Sequence, residues 1–139
     1  MADTVKQVQY FYVEVADKPG EGARLLSLFK EAGVNLRAFS GFPQGRRAQI
    51  DFIPADPAAF RVAARKAKLK LVGPKTGFLV QGEDQVGAVA ELMAKLAEAK
   101  INVTACDAVA AGEGRYGAIL WVKPPDVQKV ARLLGAAKG

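Results

Sequence analysis

With 139 residues, the chain is long enough for one ordinary domain or two very small ones. Half of the residues are hydrophobic, 24% are charged and the mean hydropathy is +0.06, which argues against a disordered chain and for one that buries a core. One cysteine, Cys106, excludes an internal disulfide, and the lack of histidine removes the usual Cys/His zinc sets and histidine acid–base chemistry.

Cys106 therefore reads as a small buried hydrophobe, and no metal or cofactor is expected. Charge interrupts every apolar stretch before membrane-spanning length, and the start MADTVKQ lacks a signal-peptide apolar run, so a cytoplasmic location is expected. The net charge of +6 is uneven. Residues 1 to 72 carry 12 Lys/Arg against 7 Asp/Glu, and residues 73 to 139 carry 8 against 7. A basic half suits an anionic ligand, a nucleic-acid surface or simply a solvated face, and the last is the plain reading of charges scattered among acids.

Setting Asp17 over Asp84, an offset of 67, aligns FYVEVADKPGEGARLLSLFKEAGVNLRAFS with FLVQGEDQVGAVAELMAKLAEAKINVTACD without a gap. That is the mark of an internal duplication. Copy one opens with a strand, Phe11, Val13 and Val15 alternating with polar positions. A helix follows, its stripe Gly22, Leu25, Leu26, Phe29 spaced for one buried face, and it stops near Ala32-Gly33. A second strand starts at Val34-Asn35-Leu36, Gly45 makes a turn, and a third strand, Ala48 to Ile53, is closed by Pro54. The stripe Phe60, Ala63, Ala64, Ala67 predicts a second helix, after which Leu69 to Val72 supplies a last strand before a turn at Gly73-Pro74.

Copy two repeats the plan. Its strand holds Phe78 and Val80, its first helix the stripe Val89, Leu92, Met93, Leu96, ending near Ala99-Lys100. Ile101-Asn102-Val103 begins the next strand, a longer loop spans Ala110 to Gly114, and Tyr116 to Val122 forms the third strand, closed by Pro124. The last helix carries Val127, Val130, Ala131 and Leu134. Only Gly135 to Gly139 remain, so copy two lacks its own last strand. Leu69 to Val72 could serve copy two by pairing at Phe78, or Val5 to Val8 could fill the gap, and the sequence leaves both open. The expected fold is α+β: two ferredoxin-like βαββαβ repeats, antiparallel sheets with both helices on one face, spanning 5–72 and 76–136. Units this small hold marginal cores and are expected to dock, and an unfilled sheet edge predicts a homodimer.

The loop between first strand and helix reads Asp17-Lys18-Pro19-Gly20. Asp17 is suited to accept from the first helical amides, Pro19 to an early helical position, and Gly20 to close backbone or ligand approach. Amides from Lys18 through Glu21 to Gly22 would take a carboxylate, Asp17 an ammonium, and Asn35, beside Leu36, offers both donor and acceptor. These groups are expected to converge, with copy one the stronger site. Plain readings stand beside this one: a well-made helix start, and an asparagine turning into a strand.

With Glu31-Ala32-Gly33-Val34-Asn35-Leu36, the loop resembles the ACT-domain pattern, D/N-R-P-G, helix, then A-x-x-G-I/V-N-I/V. Copy two keeps Asp84, Gly87, Ile101, Asn102 and Val103 but has Val86 for Pro19 and Lys100 for Gly33. The resemblance covers nearly the whole chain. It implies a non-catalytic regulatory module that binds an amino acid where two such domains meet and works with a metabolic enzyme. It also implies that Asp17, Asp84, Asn35 and Asn102 are similar to effector contacts of serine-binding members. Those members have a histidine two residues before the loop acid, where this chain has Val15 and Gly82.

Rival readings are weaker. Arg115 to Trp121 loosely resembles the RNP1 stretch of RNA-recognition domains, but its second stacking position is Ala118. Val80-Gln81-Gly82 sits where acylphosphatases grip phosphate, yet Glu83 and Asp84 would repel an anion. A docking module without ligand is the remaining alternative; nucleic acid, membrane and catalysis are not expected.

Overall fold

A computed structural model of the chain describes residues 3–139. The elements run β1 (Thr4–Ala16), α1 (Glu21–Glu31), β2 (Leu36–Gln44), β3 (Arg47–Pro54), α2 (Pro57–Lys66), β4 (Val72–Glu83), α3 (Ala88–Glu98), β5 (Val103–Gly112), β6 (Arg115–Val122), a 3₁₀ turn (Pro124–Asp126), α4 (Val127–Leu134) and β7 (Ala137–Lys138). This is the duplicated β-α-β-β-α-β plan.

The chain forms two compact units, one of residues 9–75 and one of residues 76–139 joined by residues 3–8. The expected boundary at residue 5 is therefore corrected. Val5 and Val8 are buried, and Val5 packs among Phe78, Val80, Leu92, Leu96 and Val130 in the core of copy two. Of the two candidates for the missing strand, the first half of β1 is the one used. In copy two the strand order is β7, the first half of β1, β4, β6, β5. Copy two does have a last strand of its own, against expectation: β7 pairs in parallel with β1, Lys6 facing Ala137, one place further out. Because β1 fills the inner place, two residues suffice outside it.

In copy one the order is the start of β4, the second half of β1, β3, β2. The closing strand begins at Val72 and runs through Gly73-Pro74, so neither the strand at 69–72 nor the turn after it stands. Residues 69–71 instead form the exit from α2. Gly73 is required at its place: with φ +123 and Tyr10 O only 2.9 Å from where a Cβ would lie, no side chain fits.

The stripes bury as their spacing demands, Leu25 and Phe29 on α1, Phe60, Ala63 and Ala64 on α2, Leu92 and Leu96 on α3, Val130 on α4. Copy one is centred on aromatics, with Phe29 stacked on Phe60 at 4.4 Å and Phe11 on Phe60 at 5.1 Å. Copy two is mainly aliphatic, placing Leu96 and Val127 where copy one has Phe29 and Phe60. All four helices end alike. A residue in the left-handed region follows each, Gly33, Lys68, Lys100 and Gly135, with φ between 58° and 74°. The next amide then reaches back to the carbonyl five residues before it, as Val34 N to Phe29 O at 2.9 Å and Ile101 N to Leu96 O at 2.9 Å.

The offset of 67 holds in the helices but slips by one in the hairpins: Gln44 faces Arg47 in copy one and Gly112 faces Arg115 in copy two. The extra residue is a β-bulge between Ala110 and Gly112, so most of the expected loop at 110–114 is strand.

Candidate functional site

The strand-to-helix loops are built alike but not as expected. Helix α1 is capped by Gly20 at φ 92° and α3 by Gly87 at φ 83°, and neither has a side-chain cap. Asp17 and Asp84 therefore do not close their helices, and Pro19 lies before the helix instead of in its first turn. A glycine at the cap turns the chain sharply, which leaves the acid three residues upstream and exposed. In copy one, Lys18 N donates to Ala16 O at 3.0 Å. The first helical acid, Glu21, is held by Arg24 at 2.9 Å, and that bond keeps its carboxyl below the usual range.

In copy two, Asp84 N donates to Gly114 O at 2.8 Å, tying the loop to the β5–β6 hairpin. A groove of about 410 Å³ opens beside it. One wall is the loop and helix start, including Asp84, Gln85, Gly87 and Ala88; the other is Ala108 to Ala110 on β5, with Tyr116 of β6. The Tyr116 hydroxyl donates to Asp3 Oδ2 at 2.8 Å, and burial, followed by that carboxylate, pushes its pKa up to about 12. Tyr116 is thus a neutral donor. The Asp3 carboxylate occupies the space into which a Cβ at residue 82 would project, and the Tyr116 ring lies 2.9 Å from that point, so any larger residue at 82 must displace both. A histidine two residues before the loop acid would have to displace the Asp3 carboxylate and the Tyr116 ring.

The expected convergence of Asp17 and Asn35 is corrected. They flank the 11 residues of α1 at opposite ends, roughly 16 Å apart along a helix rising 1.5 Å per residue, too far for one amino acid to touch both. Asn102 and Val103 stand in the same relation to Asp84 across α3. Asn35 and Leu36 line a second groove of about 450 Å³ with Leu26, Phe29, Lys30, Gly33 and Val34, at the far end of α1. Among the expected residues, then, Asp84 and Gly87 meet in one groove and Asn35 and Leu36 in another, while Asp17 to Gly22 line neither. Sequence reasoning missed Asp3, Gln85, the β5 wall and Tyr116.

The RNP1-like stretch offers no stacking platform, because Tyr116, Ala118 and Trp121 are all buried. Among the described residues, no cluster of three or more metal-binding side chains occurs, and no helix is long and apolar enough to cross a membrane.

No family model matches the chain, and no curated protein is significantly similar to it in sequence. Solved structures are similar in fold. A protein from Bacteroides thetaiotaomicron superposes with a TM-score of 0.79 at 14% identity, covering 96% of this chain and 88% of its own. The regulatory subunit of aspartate kinase from Thermus thermophilus, in a ligand-free form, gives 0.65 at 16% identity, covering 97% and 95%. The chain has the tandem ACT-domain fold. Aspartokinase alpha and beta subunits match this ACT-type fold equally well, with a TM-score of 0.65 at 18% identity, covering 96% and 95%.

Proposed function

We propose that this ACT-type chain is a non-catalytic, cytoplasmic regulatory protein that binds an amino acid or similar small metabolite and conveys its level to a metabolic enzyme. The observation that carries the reading is the copy-two groove, where a carboxylate, helix-start amides, Gln85 and a neutral phenol border a cleft whose other lining residues are alanine and valine. Asp84 faces the ligand ammonium, the amides of Gly87 and Val89 face its carboxylate, the Ala88 amide being held by Gln85 O at 3.2 Å, and the alanine and valine wall receives its side chain. The likeness to an aspartate kinase regulatory subunit over nearly its full length supports the regulatory role. In this reading the effector sits in copy two, whose loop borders the groove, and not at the Asp17 loop of copy one.

The chain acts as a homodimer in this reading. The motive is no longer a missing strand but β5, which ends the copy-two strand order with mostly exposed residues and Asp107 as its one charge. A second chain pairing along β5 would also wall the groove.

A thermal-shift screen of the twenty amino acids tests this. A ligand at about 100 times its Kd stabilises the fold by roughly 2.7 kcal/mol, a shift of several degrees. Asp84→Ala removes the shift and Asp17→Ala leaves it. A shift lost with Asp17→Ala and kept with Asp84→Ala would return the site to copy one, and no shift with any amino acid would leave a docking module without ligand.

A further inference from the structure

We infer that the exposed cationic face of α2 and the turn after it docks a nucleic acid through its phosphate backbone, without reading bases. Between Asp56 and Glu83 the chain carries no acid and six cations: Arg61, Arg65, Lys66, Lys68, Lys70 and Lys75. All six are exposed, but Lys75 stands apart from the other five: it lies on β4, 5.2 Å over the Tyr12 ring, whereas Arg61 on α2 lies 5.7 Å over the ring of Phe11, whose side chain leaves β1 on the other face. Arg61 and Arg65 lie one turn apart on a flank of α2 beside the buried Phe60, Ala63 and Ala64, Lys66 ends the helix, and Lys68 and Lys70 follow in the exit from it.

The duplication supplies an internal control. At the matching positions of copy two, Arg61, Lys66, Lys68 and Lys70 become Gln128, Leu133, Gly135 and Ala137, and only Arg65 keeps its charge, as Arg132. Favourable interaction with the helix dipole accounts for a cation in the last turn, and α4 meets that need with Arg132 alone. It does not account for Arg61 in the first half of α2, nor for Lys68 and Lys70 beyond its end. Lys68 also sits at φ 58°, in the left-handed region where copy two has glycine at φ 63°.

The residue types select the partner. Lysine is depleted at protein–protein interfaces, whereas phosphate contacts are made by clustered lysine and arginine without interleaved acids. With no aromatic exposed among them, these residues have no means of stacking bases, so binding is set by charge. This surface shares no residue with the copy-two groove and stands or falls independently of the proposed effector.

Fluorescence anisotropy with a labelled DNA duplex of about 24 base pairs, from about 50 to 200 mM salt, tests the assignment. The intact chain should bind with a log–log salt slope near −4. The variant Arg61→Gln/Lys68→Gly/Lys70→Ala installs residues with which copy two already folds, and its melting temperature confirms folding. It should bind more than tenfold more weakly, with a slope smaller by about 2.7. Should that variant melt early, Arg61→Gln/Lys70→Ala, which leaves the helix end untouched, should reduce the slope by about 1.8. No binding at the lowest salt, or equal binding by the variants, overturns the inference. Polyglutamate binding as tight as duplex binding overturns it in favour of an acidic protein partner.

Discussion

At the scale of single residues, the copy-two groove depends on three groups that hold one another in place: Asp3, Gly82 and Tyr116. Gly82→Ala should destabilise the fold by about 1–3 kcal/mol, because the new methyl meets the Asp3 carboxylate and the Tyr116 ring. Adding Asp3→Ala should recover much of that loss, which denaturant melts of the two variants will show. Tyr116 makes a pH prediction. Its pKa is raised from 10.0 to about 12 in the folded chain, so folding favours the protonated phenol. Its contribution is complete below pH 10 and is lost as pH rises towards 12. Wild-type stability should therefore fall more steeply over this range than that of Tyr116→Phe. Asp84 and Gly87 were legible in the sequence because the loop motif repeats at a fixed offset. Tyr116 and the Ala108–Ala110 wall were not, since their place depends on a β5–β6 register containing a bulge.

The elements themselves were legible wherever a periodic stripe set them, which is why all four helices stand as expected. Their boundaries were less so: a left-handed glycine cap leaves no side-chain signature, and Asp17 looked like a cap because acids usually are. The division of β1 was also hidden. The period of two that Phe11, Val13 and Val15 keep is broken at Val5 and Val8, which are spaced by three from each other and from Phe11, yet nothing in that break says which core each half of the strand joins. Removing residues 1–8 should consequently unfold copy two and spare copy one, readable by hydrogen exchange as lost protection after residue 76 alone. At the end of α3, Lys100 lies at φ 59° where copy one has Gly33. Lys100→Gly should raise stability by about 1 kcal/mol. In the opposite direction, Phe60→Ala should cost about 3–5 kcal/mol by opening the aromatic core of copy one.

For the whole molecule, the duplication has produced two units with one topology and divergent surfaces. Copy one keeps the more typical loop motif and carries the cations, while copy two keeps the looser motif and has the groove beside its loop. Self-association through β5 is tested by sedimentation, where the chain should run as a dimer and Val109→Lys, a charge on the exposed edge, should shift it towards monomer. The central claim is that a small metabolite occupies the copy-two groove. The most direct measurement is an amide NMR titration of the intact chain with whichever amino acid raises its melting temperature. The shifts should concentrate at residues 84–90 and 108–110, and Ala90→Trp, which fills the groove, should abolish them. Shifts centred on residues 17–22 or on 26–36 would place the ligand elsewhere and contradict the account.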